Sequence, residues 1–318
     1  MAYYADVTIG SGKEYETLEL FEAAYDGISL TGTDGVRGRL TGICQSTSYV
    51  LWAGWQNGMS STCRIVLTAD TGEFTDGISS GGCAEINSWM SLSQDTYPLY
   101  IDFIGIELSG TAAEISGNFG NSSVLRVIKC LFVGAGTGGK AIAIKLYNTG
   151  VVSAYIGGCV FRNFAGAYNA GVEVNDADAT AYVYNCTFAE MSNRGVSQYN
   201  GTAIVKNCAA INCVNGDFYS CTETTNLSEN DGQLSDADGN DFVAPSTYNY
   251  HIQDASSALY TAGTAISDSW FTSLCSTDFD GTAWRATPSV GAFEFPSAAA
   301  KLLAIIMKES NQFNGGMT

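Results

Sequence analysis

Ile128-Lys129-Cys130-Leu131-Phe132, Gly157-Gly158-Cys159-Val160-Phe161, Tyr184-Asn185-Cys186-Thr187-Phe188 and Lys206-Asn207-Cys208-Ala209-Ala210 are four versions of one short phrase. Its cysteines recur at steps in the twenties, and Phe103-Ile104-Gly105-Ile106-Glu107 has the same apolar character one such step before Cys130. A repeat of that size is the length of one coil of a parallel β-helix. Equivalent positions on successive coils then stack about 4.8 Å apart. The expected result is an internal ladder of Cys130, Cys159, Cys186 and Cys208, with Phe132, Phe161 and Phe188 beside it. Cysteine suits such a place as a small buried hydrophobe with a weakly polar thiol.

The sequence between these positions alternates as strands require. Ala141-Ile142-Ala143-Ile144-Lys145-Leu146 and Gly171-Val172-Glu173-Val174-Asn175 place apolar residues at every second position. Asn148-Thr149-Gly150 and Asn175-Asp176-Ala177-Asp178 read as coil corners, because Asn and Asp tolerate the left-handed conformation. The chain has 36 glycines and 4 prolines, which favours many tight turns over a helical protein. Its 318 residues would suggest two domains in a globular protein, but a solenoid extends one core coil by coil.

A solenoid must cover its ends. Between Tyr15 and Tyr25, Leu18, Phe21 and Tyr25 share one helical face, with Glu16, Glu19 and Glu22 elsewhere, predicting a short N-terminal capping helix. The division that follows is an N-terminal segment over 1–30, a right-handed parallel β-helix over 31–296, and a C-terminal tail over 297–318. Within the β-helix, 214–250 loses the periodicity and reads as a long surface excursion. The tail contains an apolar run in which Leu302, Leu303, Ile305, Ile306 and Met307 are the candidate partner-binding residues, for attachment or for bundling of subunits.

Fourteen basic against 32 acidic residues give a net charge of −18, which offers no basic surface for nucleic acid. No apolar run approaches the roughly 20 residues that span a bilayer. The opening Met1-Ala2-Tyr3-Tyr4-Ala5-Asp6 has neither the basic nor the apolar part of an export signal, so synthesis in a cytosol is expected. In that compartment the ten cysteines are expected to be reduced, the close pair Cys208 and Cys213 included. A zinc site is not expected, since there is no Cys-x-x-Cys pair and His251 is the only histidine. No cofactor is implied.

Three stretches resemble a diffuse family of pectin-lyase-like, right-handed β-helix proteins common in tailed bacteriophages and also found on bacterial surfaces. Thr8-Ile9-Gly10-Ser11-Gly12-Lys13-Glu14-Tyr15-Glu16-Thr17-Leu18 is similar to the run that leads into the cap helix of such proteins, with Lys13-Glu14 where Gly-Asp is usual. Phe242-Val243-Ala244-Pro245, Tyr250-His251-Ile252 and Ser256-Ser257-Ala258 resemble the run that enters their last coils. Asp278-Phe279-Asp280-Gly281, Arg285 and Gly291-Ala292-Phe293-Glu294 resemble their closing motif, with Ser289-Val290 where Asp-Ile is usual. The resemblance implies the fold directly. For function it spans polysaccharide-active enzymes, adhesins and structural virion proteins, and fold does not choose among them.

Glycan hydrolysis needs two carboxylates across the scissile bond. Glu173 with Asp176 or Asp178 is the candidate pairing, with Glu190 about one coil later, yet the Asn-Thr-Asp or Asp-Asp and Gly-His-Gly signatures of pectin hydrolases are missing. A lyase needs a basic residue, and Lys129, Lys145, Arg162 and Arg194 form no recognisable set. Asp236-Ala237-Asp238-Gly239-Asn240-Asp241 has the alternating oxygens of a calcium loop without its bidentate glutamate, so an acidic turn is the simpler reading. His251 falls in the closing part of the fold and is expected to pack or hydrogen-bond. Trp52, Trp55 and Trp89, with Tyr49 and Tyr97, read equally as a sugar-stacking surface, a subunit interface or filling of wide early coils.

The expected function is therefore a non-enzymatic structural protein of a phage particle, synthesised in the host cytoplasm. It would be displayed on the virion surface as a capsid decoration protein or fibre-like appendage, in contact with other virion proteins and as a homo-oligomer, a trimer being common for such folds. The alternative is a glycan-binding or glycan-cleaving tail-spike-type protein; a bacterial surface adhesin is a third.

Overall fold

Strand Ser123–Ile128 shows how sequence becomes fold: Leu125 and Val127 are fully buried, while Val124 and Arg126 alternate outward. Repeated coil after coil, this period of two builds an all-β parallel solenoid. The computed structural model describes residues 3–28, 30, 35–44, 50–52, 59–60, 62–77, 83–87, 90–94, 98–110, 114–119, 122–136, 142–146, 152–165, 170–230 and 240–295.

Each full coil contributes one strand to each of three faces. Ser123–Ile128 lies on face I, Leu131–Gly136 on face II and Ile142–Leu146 on face III, after which Val152–Gly157 returns to face I. On face I the register runs Val36, Ile65, Ile101, Leu125, Ala154, Ala181, Ala203, so the coils differ in length while their side chains stay aligned. The longest step is from Ile65 to Ile101, and from Leu125 onward the steps shorten towards Ala203. Faces I and III merge where two long strands, Ala170–Tyr184 and Arg194–Lys206, run through the corner between them. Asn175–Asp178, read as a corner, is where their mutual register breaks.

Faces I and II meet at a corner one residue wide. Gly105, Lys129, Gly158, Asn185 and Asn207 occupy it in five successive coils, all left-handed, with φ of 67°, 52°, 62°, 49° and 52°. The following residue is Ile106, Cys130, Cys159, Cys186 and Cys208 in turn, each wholly buried. The thiols of Cys130, Cys159, Cys186 and Cys208 donate to the carbonyl two residues back, at 3.3–3.5 Å. Three of them also reach a carbonyl of the preceding coil, Val127, Ile156 and Val183, at 3.4, 3.8 and 3.3 Å. A carbonyl has two lone pairs, and a thiol is a weak donor small enough to serve the second one inside an apolar core. Burial holds the Cys130 and Cys186 thiols well above the ordinary cysteine range, so they stay protonated donors. All ten cysteines are free.

Two residues further on, Phe132, Phe161 and Phe188 stack face to face, with centroids 4.7 and 4.8 Å apart and planes tilted by 11° and 9°. The spacing is that of the backbone ladder itself.

At the N-terminal end, helix α1 (Leu18–Tyr25) begins where Thr17 accepts the Leu20 N–H at 3.3 Å, and it buries Leu18, Phe21 and Tyr25 in the solenoid core. The expected boundary at residue 30 is not where the solenoid starts: Ala5–Ile9 already pairs in parallel with Gly35–Leu40. The expected excursion over 214–250 also differs from what forms. Phe218–Tyr219, Thr222–Thr224 and Leu227–Ser228 complete one more coil, whose step on face I, from Ile204 to Thr222, is the shortest on that face.

Nor do the coils continue to 296. From Phe242 the chain turns back along the outside of the solenoid: an antiparallel hairpin (Phe242–Ala244 with Asn249–Ile252) and helix α2 (Ala258–Ala262) lie over face II, and helix α3 (Ser269–Leu274) lies against face I, where Trp270 and Phe271 meet Tyr155 and Tyr184. Phe242, Tyr250, Ile252, Leu259, Val290 and Phe293 pack on outward-facing Leu131, Val160, Ala209 and Ile211. This gives the protein a second core outside its solenoid.

Phe161 sits in the middle of the ring stack with a neighbour on each side. Phe161→Ala is expected to lower unfolding stability by about 3–5 kcal/mol, read from the guanidinium midpoint, because the stack cannot close over the gap. Phe161→Leu should recover more than half of that loss.

Candidate functional site

The outer strap is held by the corner residues. Asn185 and Asn207 take the left-handed bend, and their amides are aimed outward at the strap. Asn185 donates to the Ser289 carbonyl at 2.7 Å and more weakly to that of Gly291 at 3.3 Å. Asn207 exchanges two hydrogen bonds with the Thr264 backbone, at 2.7 and 2.9 Å, and its own carbonyl accepts the Gly291 N–H at 2.8 Å. Thr187 accepts from the Ala292 N–H at 3.0 Å. Gly291 lies against this corner at φ 95°, and a Cβ there would stand 3.0 Å from the Thr187 hydroxyl.

Behind the contact, the closing-motif residues brace one another. Glu294 is buried, pairs with Arg285 at 2.9 Å and accepts the Ser289 N–H at 3.0 Å. Asp278 is fully buried and accepts the N–H groups of Thr282 and Glu294, both at 2.8 Å. Burial outweighs those two donors and pushes its carboxyl up to about 6.

The candidate acid–base residues are found in structural pairs. Glu173 faces Lys145 across one coil at 3.6 Å, and Asn175 donates to it at 3.5 Å. Asp176 closes a local turn by accepting the Asp178 N–H at 3.0 Å. Glu190 accepts from Asn212 at 2.8 Å. Lys129 reaches from its corner to the Thr277 hydroxyl of the strap, and burial depresses its ammonium. Arg162 is buried beneath the Tyr248 ring, 4.3 Å from its centroid, and desolvation lowers its pKa as well. His251 lies 2.7 Å from Asp280 and packs on Phe293 at 4.1 Å. Asp241, from the acidic turn, accepts from Ser257 and the Ala258 N–H at the start of α2. Among the described residues, no three His, Cys, Asp or Glu side chains converge as a metal site.

Leu302, Leu303, Ile305, Ile306 and Met307 lie outside the described residues, as do Asp236, Asp238, Trp55, Trp89, Tyr49 and Tyr97. Trp52 falls in strand Val50–Trp52 of face III.

One surface feature was not anticipated. On the last coils Tyr199 and Tyr219 are 46% and 43% exposed, with ring centroids 6.0 Å apart. Arg194 stacks on Tyr219 at 3.6 Å and donates to the Tyr199 hydroxyl at 2.9 Å, fixing both rings. Asn200 and Asn175, linked at 3.2 Å, continue this polar edge onto the preceding coil. No model of a protein family, no curated protein and no solved structure matches the chain.

Two outcomes test the strap. Gly291→Ala forces a side chain into the left-handed region against Thr187 and should cost at least about 2 kcal/mol, with faster amide exchange confined to 242–295. Gly281→Ala, at φ 80° but facing open space, should cost about 1 kcal/mol and leave the strap protected.

Asp278 gives a titration to follow. Its folded pKa lies above the unfolded value, so between about pH 4 and 6 the folded chain holds a proton that the unfolded chain has released. This residue's contribution is present at low pH and fades as pH rises through 6. The Asp278 carboxyl carbon should accordingly titrate near 6 by NMR, and a midpoint near 4 would contradict its burial.

Proposed function

We propose that this chain is a non-catalytic structural protein of a bacteriophage particle. It is carried on the particle surface as a capsid decoration protein or fibre-like appendage, and it works as a homo-oligomer bound to other virion proteins. The observation that carries this reading is the use made of the residues behind the family resemblance. Asp278, Asp280, Arg285, Gly291 and Glu294 all lock the outer strap, and none is left over for substrate. Among the candidate acids and bases, Glu173, Lys145 and Glu190 join coils and Lys129 and Arg162 hold the strap. A rigid rod with a second core along one side suits a part that must survive outside the cell.

Attachment is assigned to Leu302, Leu303, Ile305, Ile306 and Met307. The test compares the full chain with one ending at Phe295, by light scattering and by co-sedimentation with particles lacking the protein. A truncated chain that stays folded but no longer assembles or attaches is the expected result; unchanged assembly and attachment would remove the tail from this account.

A second reading, glycan binding, rests on the Tyr199–Arg194–Tyr219 surface, since exposed rings held by a cation stack on sugar faces. Under it, Tyr219→Ala should abolish retention on cell-surface polysaccharide while leaving the melting midpoint within a few degrees of the unaltered chain.

A further inference from the structure

Arginines gather on the outer side of face I, in a chain of net charge −18. Arg37 and Arg39 are matched there by Asp6 and Asp70. Further along the same face the balance changes, because Arg64 and Arg126 share Asp102. Register places Asp102, Arg126 and Tyr155 in line on three successive coils, about 4.8 Å apart. Arg64 reaches across from the coil before, donating through Nε to both Asp102 oxygens at 2.9 and 2.8 Å and through Nη2 to one of them. Arg126 Nη1 stands 3.7 Å from the other side of the carboxylate.

Asp102 therefore answers one edge of one fork and little of the second. Arg64 Nη1 and Arg126 Nε are both buried and have no hydrogen-bond partner among the described residues. Arg64 is only 5% exposed, so bulk water does not serve it. Among the described residues, the ionisable groups facing this cluster are Tyr100, whose ring lies 5.5 Å from the Arg64 guanidinium, and Tyr155 beside Arg126. Among the described residues, two guanidinium ions and one carboxylate leave one positive charge. Burial, and next the like charge of Arg64, depress Arg126. A guanidinium does not shed its proton near neutral pH, so the remaining way to relieve such a cluster is an anion.

We propose that Arg64, Asp102 and Arg126 form a site for a small monovalent anion, a halide or a carboxylate, held by the N–H groups that Asp102 does not use. Planar N–H forks with a free edge are what such ions bind.

The test uses the full chain and sodium bromide or sodium acetate as the probe, with melting midpoints followed across an anion titration. Arg126→Met keeps the neutral Arg64–Asp102 pair, so the fold is retained while the second cation is lost. The apparent dissociation constant should rise at least about tenfold, the scale of one hydrogen bond to a charged group. Asp102→Asn removes the competing carboxylate and should tighten binding; anomalous scattering from bromide should place the ion beside Arg64 Nη1. Equal anion dependence in all three proteins, or bromide found elsewhere only, would overturn the proposal. If Asp102→Asn does not fold, the Arg126→Met comparison and the bromide position decide it.

Discussion

The structure depends on a bend that is one residue long. Between faces I and II the chain turns through a single left-handed residue, and five successive coils place that residue in register. A one-residue corner leaves no slack, so each of these five coils must present its next side chain inward at the same height. The thiol ladder follows from this, because the bend leaves carbonyl lone pairs facing the core and cysteine is small enough to reach them. The phenylalanine stack follows as well, two residues later and at the spacing of the backbone.

The same corner holds the outer strap. Where the bend residue is Asn, its amide projects outward and carries both a donor and an acceptor, which Gly158 in the preceding coil cannot offer. Asn185 and Asn207 therefore anchor Ser289 and Thr264, from a part of the chain far downstream of both. Lys129 does the same with its ammonium. Local backbone strain and long-range attachment are met by the same side chains, which puts the strap on the later coils.

How much of this was legible follows from which residues repeat. The middle coils announce themselves, because one residue type returns at one position and the spacing of those cysteines is the true register. Helix α1 was readable from Leu18, Phe21 and Tyr25 alone. The first coils, at Val36 and Ile65, carry no version of the repeated phrase, and the coil of Ile101 shows itself only through the apolar character of Phe103-Ile104-Gly105-Ile106-Glu107. The final coil reads as a loop in the sequence because its strands are two or three residues long in a Thr- and Asn-rich stretch. The strap did leave a signal in Leu131, Val160 and in Ala209 with Ile211. These apolar residues stand on the outward side of face II strands, and a strand apolar on both sides is buried on both. The Arg64–Asp102–Arg126 cluster could not be read, since its members come from three separate coils and meet only through register.

For function, the fold supplies a rigid frame, and the chemistry on it is spent mainly on holding the frame together. The central claim concerns the corner, and the last coil isolates it, because Thr224 and Thr225 are neighbours with opposite roles. Thr225 takes the left-handed bend at φ 56°, where a β-branched residue is strained, whereas Thr224 ends a strand. The direct measurement is the denaturant midpoint of Thr225→Gly beside that of Thr224→Gly. Relief of the bend should make the first more stable by about 0.5–1 kcal/mol, and loss of strand rigidity should make the second less stable by a similar amount. If both substitutions lower stability equally, the left-handed corner is not what sets this structure.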